Sequence, residues 1–168
     1  MSGAVVWITG LPASGKSTLA ARARDELARR GRPAALLDGD RMRPILGPEL
    51  GYAPDERDEL YRRLAALAVL LAEQGLLVLV PATAPQRRHR DRARAAAPRF
   101  IEVLVDTPLE ECARRDPKGL YRRAAAGEPL TLPGAGAPYE PPTRPDLIAH
   151  GGRDDDALAR LVALADPR

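Results

Sequence analysis

Asparagine is absent from this 168-residue chain, and cysteine occurs once, at Cys112. Without asparagine there is no Asn-Lys-x-Asp motif of the kind that reads guanine. A single cysteine excludes an internal disulfide and fits a reducing compartment. Aromatic residues make up only 4% of the chain, too few to interleave with basic residues as a stacking surface for nucleic acid would. Neither sign of charge dominates: 26 basic and 23 acidic residues leave a net charge of +3. The high isoelectric point therefore says little about nucleic acid. No apolar run approaches membrane-spanning length, because the longest, Leu64 to Val80, is broken by Glu73-Gln74-Gly75. No signal peptide is visible, so a cytoplasmic protein is expected.

Lysine is nearly absent too. Of the 26 basic residues only Lys16 and Lys118 are lysines. The first lies in Gly10-Leu-Pro-Ala-Ser-Gly15-Lys16-Ser17-Thr18, which follows the apolar run Ala4–Thr9 and precedes a helical pattern. That is the G-x-x-x-x-G-K-[ST] phosphate-binding loop between a strand and a helix. Its backbone N–H groups curl around an anionic phosphate at a helix N-terminus. Gly10, Ala13, Ser14, Gly15, Lys16, Ser17 and Thr18 are therefore candidate ATP-binding residues. Lys16 reaches the outer phosphates and Ser17 offers its hydroxyl to Mg²⁺. Arginine's rigid fork does not replace a compact ammonium in so tight a loop.

Apolar runs alternate with helical patterns, which predicts an α/β fold of three layers around a mostly parallel sheet. Strands are expected at Ala4–Thr9, Ala34–Leu37, Leu76–Val80 and Phe100–Val105. Helices are expected over 17–30, Asp55–Glu73 (Asp55 as N-cap), Gln86–Ala97, Pro108–Arg115 and Asp155–Leu164. Residues 41–54, rich in proline and glycine, read as a loop. Residues 116–145 are richer still in breakers and read as a functional lid or a partly disordered segment. The whole chain reads as one domain, with no internal repeat.

Asp38 and Asp40 follow the second strand, at the carboxyl end of the sheet where ligands bind. A carboxylate there can take the proton of an attacking hydroxyl, although Asp-Gly-Asp is also ordinary turn chemistry. Asp106 closes the fourth strand and reads more readily as a turn residue than as a metal-coordinating acid. The basic run Gln86–Arg94 reads as a solvated helix face, or as a clamp for an anionic substrate. His89 and His150 have no metal-ligand spacing and are expected on the surface. Trp7 is expected in the core.

The order of these pieces resembles the adenylylsulfate kinases. The likeness rests on Trp7–Thr18, Leu37-Asp-Gly-Asp-Arg-Met-Arg43, Leu50-Gly-Tyr52, Arg57 and Arg62-Arg63. It continues through Phe100-Ile-Glu-Val, Val105-Asp-Thr-Pro-Leu109, Arg115-Asp-Pro-Lys-Gly-Leu-Tyr121 and Tyr139-Glu-Pro-Pro142. The resemblance implies a P-loop kinase that uses ATP and Mg²⁺ to phosphorylate the 3′-hydroxyl of adenosine 5′-phosphosulfate. Asp40 would orient or deprotonate that hydroxyl. Asp38, Arg43, Arg57 and Lys118 would hold the acceptor, Tyr52 would stack on its base, and Thr83 and Leu132 would border it. Arg115 would join the ATP site, and residues 116–138 would form the lid. Relatives are often dimers, which makes a homodimer the expectation.

The chain departs from the family pattern at Thr83-Ala84-Pro85, Glu59-Leu60 and Leu132-Pro133-Gly134. Ala84 stands where the family has serine, which excludes a phosphoserine there and leaves direct in-line transfer. Leu60 replaces an amide and Leu132-Pro133 an aromatic lid residue. These changes keep a second reading open, the same reaction on another nucleotide-like acceptor such as a cytidine diphosphoramidate. A third is a non-catalytic module that binds nucleotide or nucleic acid.

Overall fold

The computed structural model describes residues 2–168. Five parallel strands form the sheet, in the order β2-β3-β1-β4-β7. They are β1 (Ala4–Thr9), β2 (Ala34–Leu36), β3 (Leu77–Pro81), β4 (Phe100–Val105) and β7 (Leu147–Ala149). The helices are α1 (Lys16–Arg29), α2 (Gly39–Leu46), α3 (Pro54–Glu73), α4 (Arg87–Ala96), α5 (Leu109–Arg115), α6 (Leu120–Ala125) and α7 (Asp155–Ala165). The short strands β5 (Leu132–Pro133) and β6 (Gly136–Ala137) pair with each other between α6 and β7.

Alternation along β1 explains the three layers. Successive side chains of a strand point to opposite faces. Ala4, Val6 and Ile8 pack with Leu19, Ala23 and Leu27 of α1 and Leu161 and Val162 of α7. Val5 and Trp7 pack on the other face with Leu64, Ala68 and Ala72 of α3 and Ala93 of α4. A parallel sheet is stable only with both faces covered in this way. Trp7 is fully buried, as expected, and its indole N–H donates to the Ala82 carbonyl at 3.3 Å.

Several elements depart from the sequence reading. Residues 39–46 form α2 rather than a loop. Asp38 caps it by accepting from the Asp40 N–H at 3.0 Å, and Asp40 adds an acid to its first turn. These gains outweigh the hydrogen bond that Pro44 removes. Helix α3 starts at Pro54, with Ala53 rather than Asp55 at the N-cap. Pro54 suits a first turn because its missing N–H has no intrahelical partner to lose. Glu56 reaches back to accept from the Ala53 N–H. Strand β7 was not expected from its three residues, which form the sheet edge beside β4.

Candidate active site

Strands β1, β2 and β3 all point their carboxyl ends at one cavity of about 890 Å³. The phosphate-binding loop after β1 forms its floor. Lys16 Nζ donates to the Gly10 and Leu11 carbonyls at 3.0 and 2.8 Å. Burial pushes its pKa down to about 8, partly offset by the Asp40 and Asp38 carboxylates. Gly10 itself does not line the cavity; Ala13, Ser14, Gly15, Lys16, Ser17 and Thr18 do. The first N–H groups of α1 have no intrahelical acceptor and stay free for an anion.

The loop is held from behind by residues that the sequence reading did not assign. Thr107 Oγ1 donates to the Ser14 carbonyl at 2.7 Å. Gly15 lies against the turn after β7, where an added Cβ would meet the Gly152 nitrogen at 2.5 Å. It also has φ of 107°, which a side chain would strain. The Gly151-Gly152 pair was the available signal, since backbone approaching backbone needs glycine on both sides. Asp106 is exposed and lies outside the cavity lining, consistent with a turn residue. Its N–H donates to the Ala149 carbonyl.

Asp38 joins two elements of the site. One carboxylate oxygen accepts from Ser17 Oγ at 2.6 Å and the other caps α2. A hydroxyl and a carboxylate oxygen side by side are hard donors that suit Mg²⁺. That ion typically keeps waters and binds through one or two protein oxygens plus phosphate. Among the described residues no cluster of His, Cys, Asp or Glu forms an all-protein metal site, and such a Mg²⁺ needs none.

The opposite wall carries the expected acceptor residues. Asp40 and Lys118 form an ion pair between the start of α2 and the turn from α5 to α6. Arg43 lies 4.1 Å above the Tyr52 ring and Arg57 5.7 Å from it. Arg43 also donates to the Gly51 carbonyl, and Arg57 donates to the Thr131 carbonyl beside β5. Thr83 and Leu132 complete that set on the cavity wall, and Arg115, expected on the ATP side, lines the cavity too. Tyr61, Met42, Leu64 and Tyr121 line it as well and were not anticipated. Tyr121 ties α6 to the loop by donating to the Pro12 carbonyl at 2.7 Å. Leu60 and Leu132-Pro133 face the cavity, but Ala84 is fully buried and does not line it. That departure is therefore not a change in the cavity wall.

The basic run has an exposed face, with Arg87, Arg88, Asp91 and Arg94 in solvent, and a buried one that the sequence reading did not expect. Arg90 is fully buried, with its Nε 3.1 Å from Glu102 and its Nη atoms donating to the Ala84 and Glu140 carbonyls. Arg92 pairs with Asp58 and Arg94 with Glu102. None of the three lines the cavity. His89, expected at the surface, is 1% exposed. Its carboxylate and aromatic neighbours come from α3, which a reading along α4 could not supply.

Comparison with known proteins agrees with this geometry. The family model described as adenylylsulphate kinase matches residues 2–150. The chain belongs to the adenylylsulphate kinase family. It is 46% identical over 164 residues to the adenylyl-sulfate kinase of Shewanella amazonensis, covering 95% of this chain and 83% of that protein. It is likewise 46% identical to the bifunctional enzyme NodQ of Azospirillum brasilense, over 95% of this chain. The chain spans about a quarter of the length of that and similar bifunctional relatives. The structure of the Mycobacterium tuberculosis APS kinase CysC in complex with AMPPNP and APS superposes with a TM-score of 0.90. That match has 43% identity and covers 97% of each chain. The shikimate kinase of Aquifex aeolicus, at 13% identity and a TM-score of 0.56, shares the fold.

Proposed function

We propose that this protein is an adenylyl-sulfate kinase, transferring the γ-phosphoryl group of ATP to the 3′-hydroxyl of adenosine 5′-phosphosulfate. The observation that carries this reading is the meeting, in one cavity, of a phosphate-binding loop with Asp40, Arg43, Arg57 and Lys118. The similarity to the mycobacterial kinase in complex with AMPPNP and APS supports the choice of both substrates.

ATP would lie with its phosphates on the loop, its β- and γ-phosphates met by Lys16 and its base side bordered by Arg115. Ser17 and Asp38 would hold Mg²⁺, which supplies charge neutralisation at the phosphates. Arg43, Arg57 and Lys118 carry three positive charges toward the phosphosulfate. Asp40 would orient the 3′-hydroxyl and accept its proton. The hydroxyl oxygen forms a bond to the γ-phosphorus while the bond from that phosphorus to the β–γ bridging oxygen breaks, releasing ADP. Lys118 must leave Asp40 for this to happen, and an arriving anionic acceptor gives its ammonium another partner. Residues 116–138 would close as a lid and keep water from competing for the phosphoryl group.

The chain would act as one kinase unit, in the cytoplasm and as a homodimer. Among the described residues, no helix is long and apolar enough to cross a membrane. ADP release from ATP and Mg²⁺, followed with and without adenosine 5′-phosphosulfate, tests the reading. Release that depends on the acceptor supports it. Release that ignores adenylyl sulfate and responds to a different nucleotide would move the assignment to another acceptor.

A further inference from the structure

Helix α3 presents Arg57, Leu60, Tyr61 and Leu64 to the cavity, the i, i+3, i+4, i+7 face of a helix. Leu60 and Leu64 are apolar, and Arg57 is engaged with the carbonyl of Thr131. Tyr61 is thus the one uncharged hydrogen-bonding side chain that α3 gives to this wall. It shares the cavity lining with Arg43, Arg57 and Asp40. The Ala84 backbone acts on its hydroxyl through a hydrogen bond, and the Arg43, Arg57 and Asp40 charges act on it more weakly. Burial raises its pKa, so it stays a phenol and keeps a proton to donate.

The ring is fixed from behind. Tyr61 stacks on the buried His89 with centroids 4.7 Å apart and planes 28° apart. His89 is fixed in turn. Its Nδ1 accepts from the Gln86 N–H at 3.3 Å, which places the ring proton on Nε2. Nε2 lies 3.6 Å from Asp58, itself held by Arg92 at 2.7 Å. Burial pushes the His89 pKa down to about 4, so the imidazole is neutral at physiological pH. Nothing in the phosphoryl transfer uses this buried chain of groups. What it does is hold one aromatic ring at the cavity wall.

We propose that the Tyr61 hydroxyl contacts the acceptor nucleotide and helps to select it, with His89 as the positioning residue behind its ring. The inference rests on the kinase reading above. A phenol rigid to its ring discriminates an acceptor group by geometry, because the ring cannot swing away to follow a misplaced partner.

The experiment is steady-state kinetics of Tyr61→Phe and His89→Gln with adenosine 5′-phosphosulfate and ATP. Tyr61→Phe removes one oxygen and keeps the stack. It should raise the acceptor KM about five- to tenfold, the range of one hydrogen bond, and leave the ATP KM within about twofold. His89→Gln should raise the acceptor KM as well, and add little once Tyr61 is already Phe. An acceptor KM within about twofold of wild type in Tyr61→Phe overturns the inference, as does an equal rise in both KM values. Should the variants fail to fold, ¹³Cζ-tyrosine NMR of the wild-type protein gives the answer, with resonances assigned from single Tyr→Phe changes elsewhere. The Tyr61 signal should move when adenylyl sulfate is added with ADP, and an unmoved signal overturns the contact. Wild-type protein that does not phosphorylate adenylyl sulfate overturns the kinase reading, and this inference with it.

Discussion

Lys118, between α5 and α6, donates to the Asp40 carboxylate at the start of α2, joining two residues 78 positions apart. Both side chains are more than half exposed, at 57% and 72%. An exposed ion pair contributes little to folding. Asp40→Ala should therefore leave thermal unfolding close to wild type while lowering kcat at least a hundredfold, the lower range for a lost general base. Lys118→Ala should act mainly on the acceptor KM. Calorimetry beside initial-rate kinetics checks both, and a large loss of stability in either variant would recast the pair as structural.

Lys16 predicts a pH dependence of ATP binding. In the free protein, burial brings its pKa from 10.5 down to about 8. Phosphate binds the protonated form and raises the pKa again. Affinity should be flat below about pH 8 and fall above it, by up to tenfold for each step of one in pH, until the pKa of the bound state is reached. Titration calorimetry at several pH values measures this. A flat profile from pH 7 to 10 would show that Lys16 keeps its proton without ATP.

His89 predicts an acid limb in stability. Its folded-state pKa of about 4 lies below the unfolded value of 6.5. Above pH 6.5 both states are neutral and nothing is lost. As pH falls from 6.5 to 4 only the unfolded chain gains the proton, so folding loses about 3 kcal/mol across that interval. His89→Gln should flatten that limb. Urea unfolding at pH 7, 5.5 and 4.5 compares the two proteins, and parallel curves would rule out a neutral buried imidazole.

Arg90 separates folding from binding. Its partners are the buried Glu102 and two backbone carbonyls. Arg90→Ala leaves Glu102 with only the half-exposed Arg94 and should cost about 3–5 kcal/mol. Near-native stability with a raised acceptor KM would restore a substrate role for this helix.

What was legible in the sequence was local. The phosphate loop, the strand ends and the long helix α3 each announce themselves within a window of about twenty residues. Helix α2 was hidden because Pro44 and Gly47 read as breakers and outweighed the local Asp38 cap, only two residues from the N–H it accepts. His89 and Arg90 were misplaced because their burial depends on Asp58, Tyr61 and Glu102, residues of other elements. The backing of the loop by Thr107 and Gly152 is likewise tertiary. The cavity wall was half legible: Arg43, Tyr52, Arg57 and Lys118, which line it, were expected from family likeness. Tyr61 did not, because no local pattern marks a tyrosine that faces a cavity.

The central claim is the identity of the transfer, and the position of the new phosphate tests it most directly. Wild-type protein with ATP, Mg²⁺ and adenosine 5′-phosphosulfate should give one product, heavier by one phosphoryl group. Phosphorus NMR should place that group on the 3′-oxygen with the phosphosulfate intact. Inorganic phosphate alone, or a phosphoryl group on any other atom, would contradict the account.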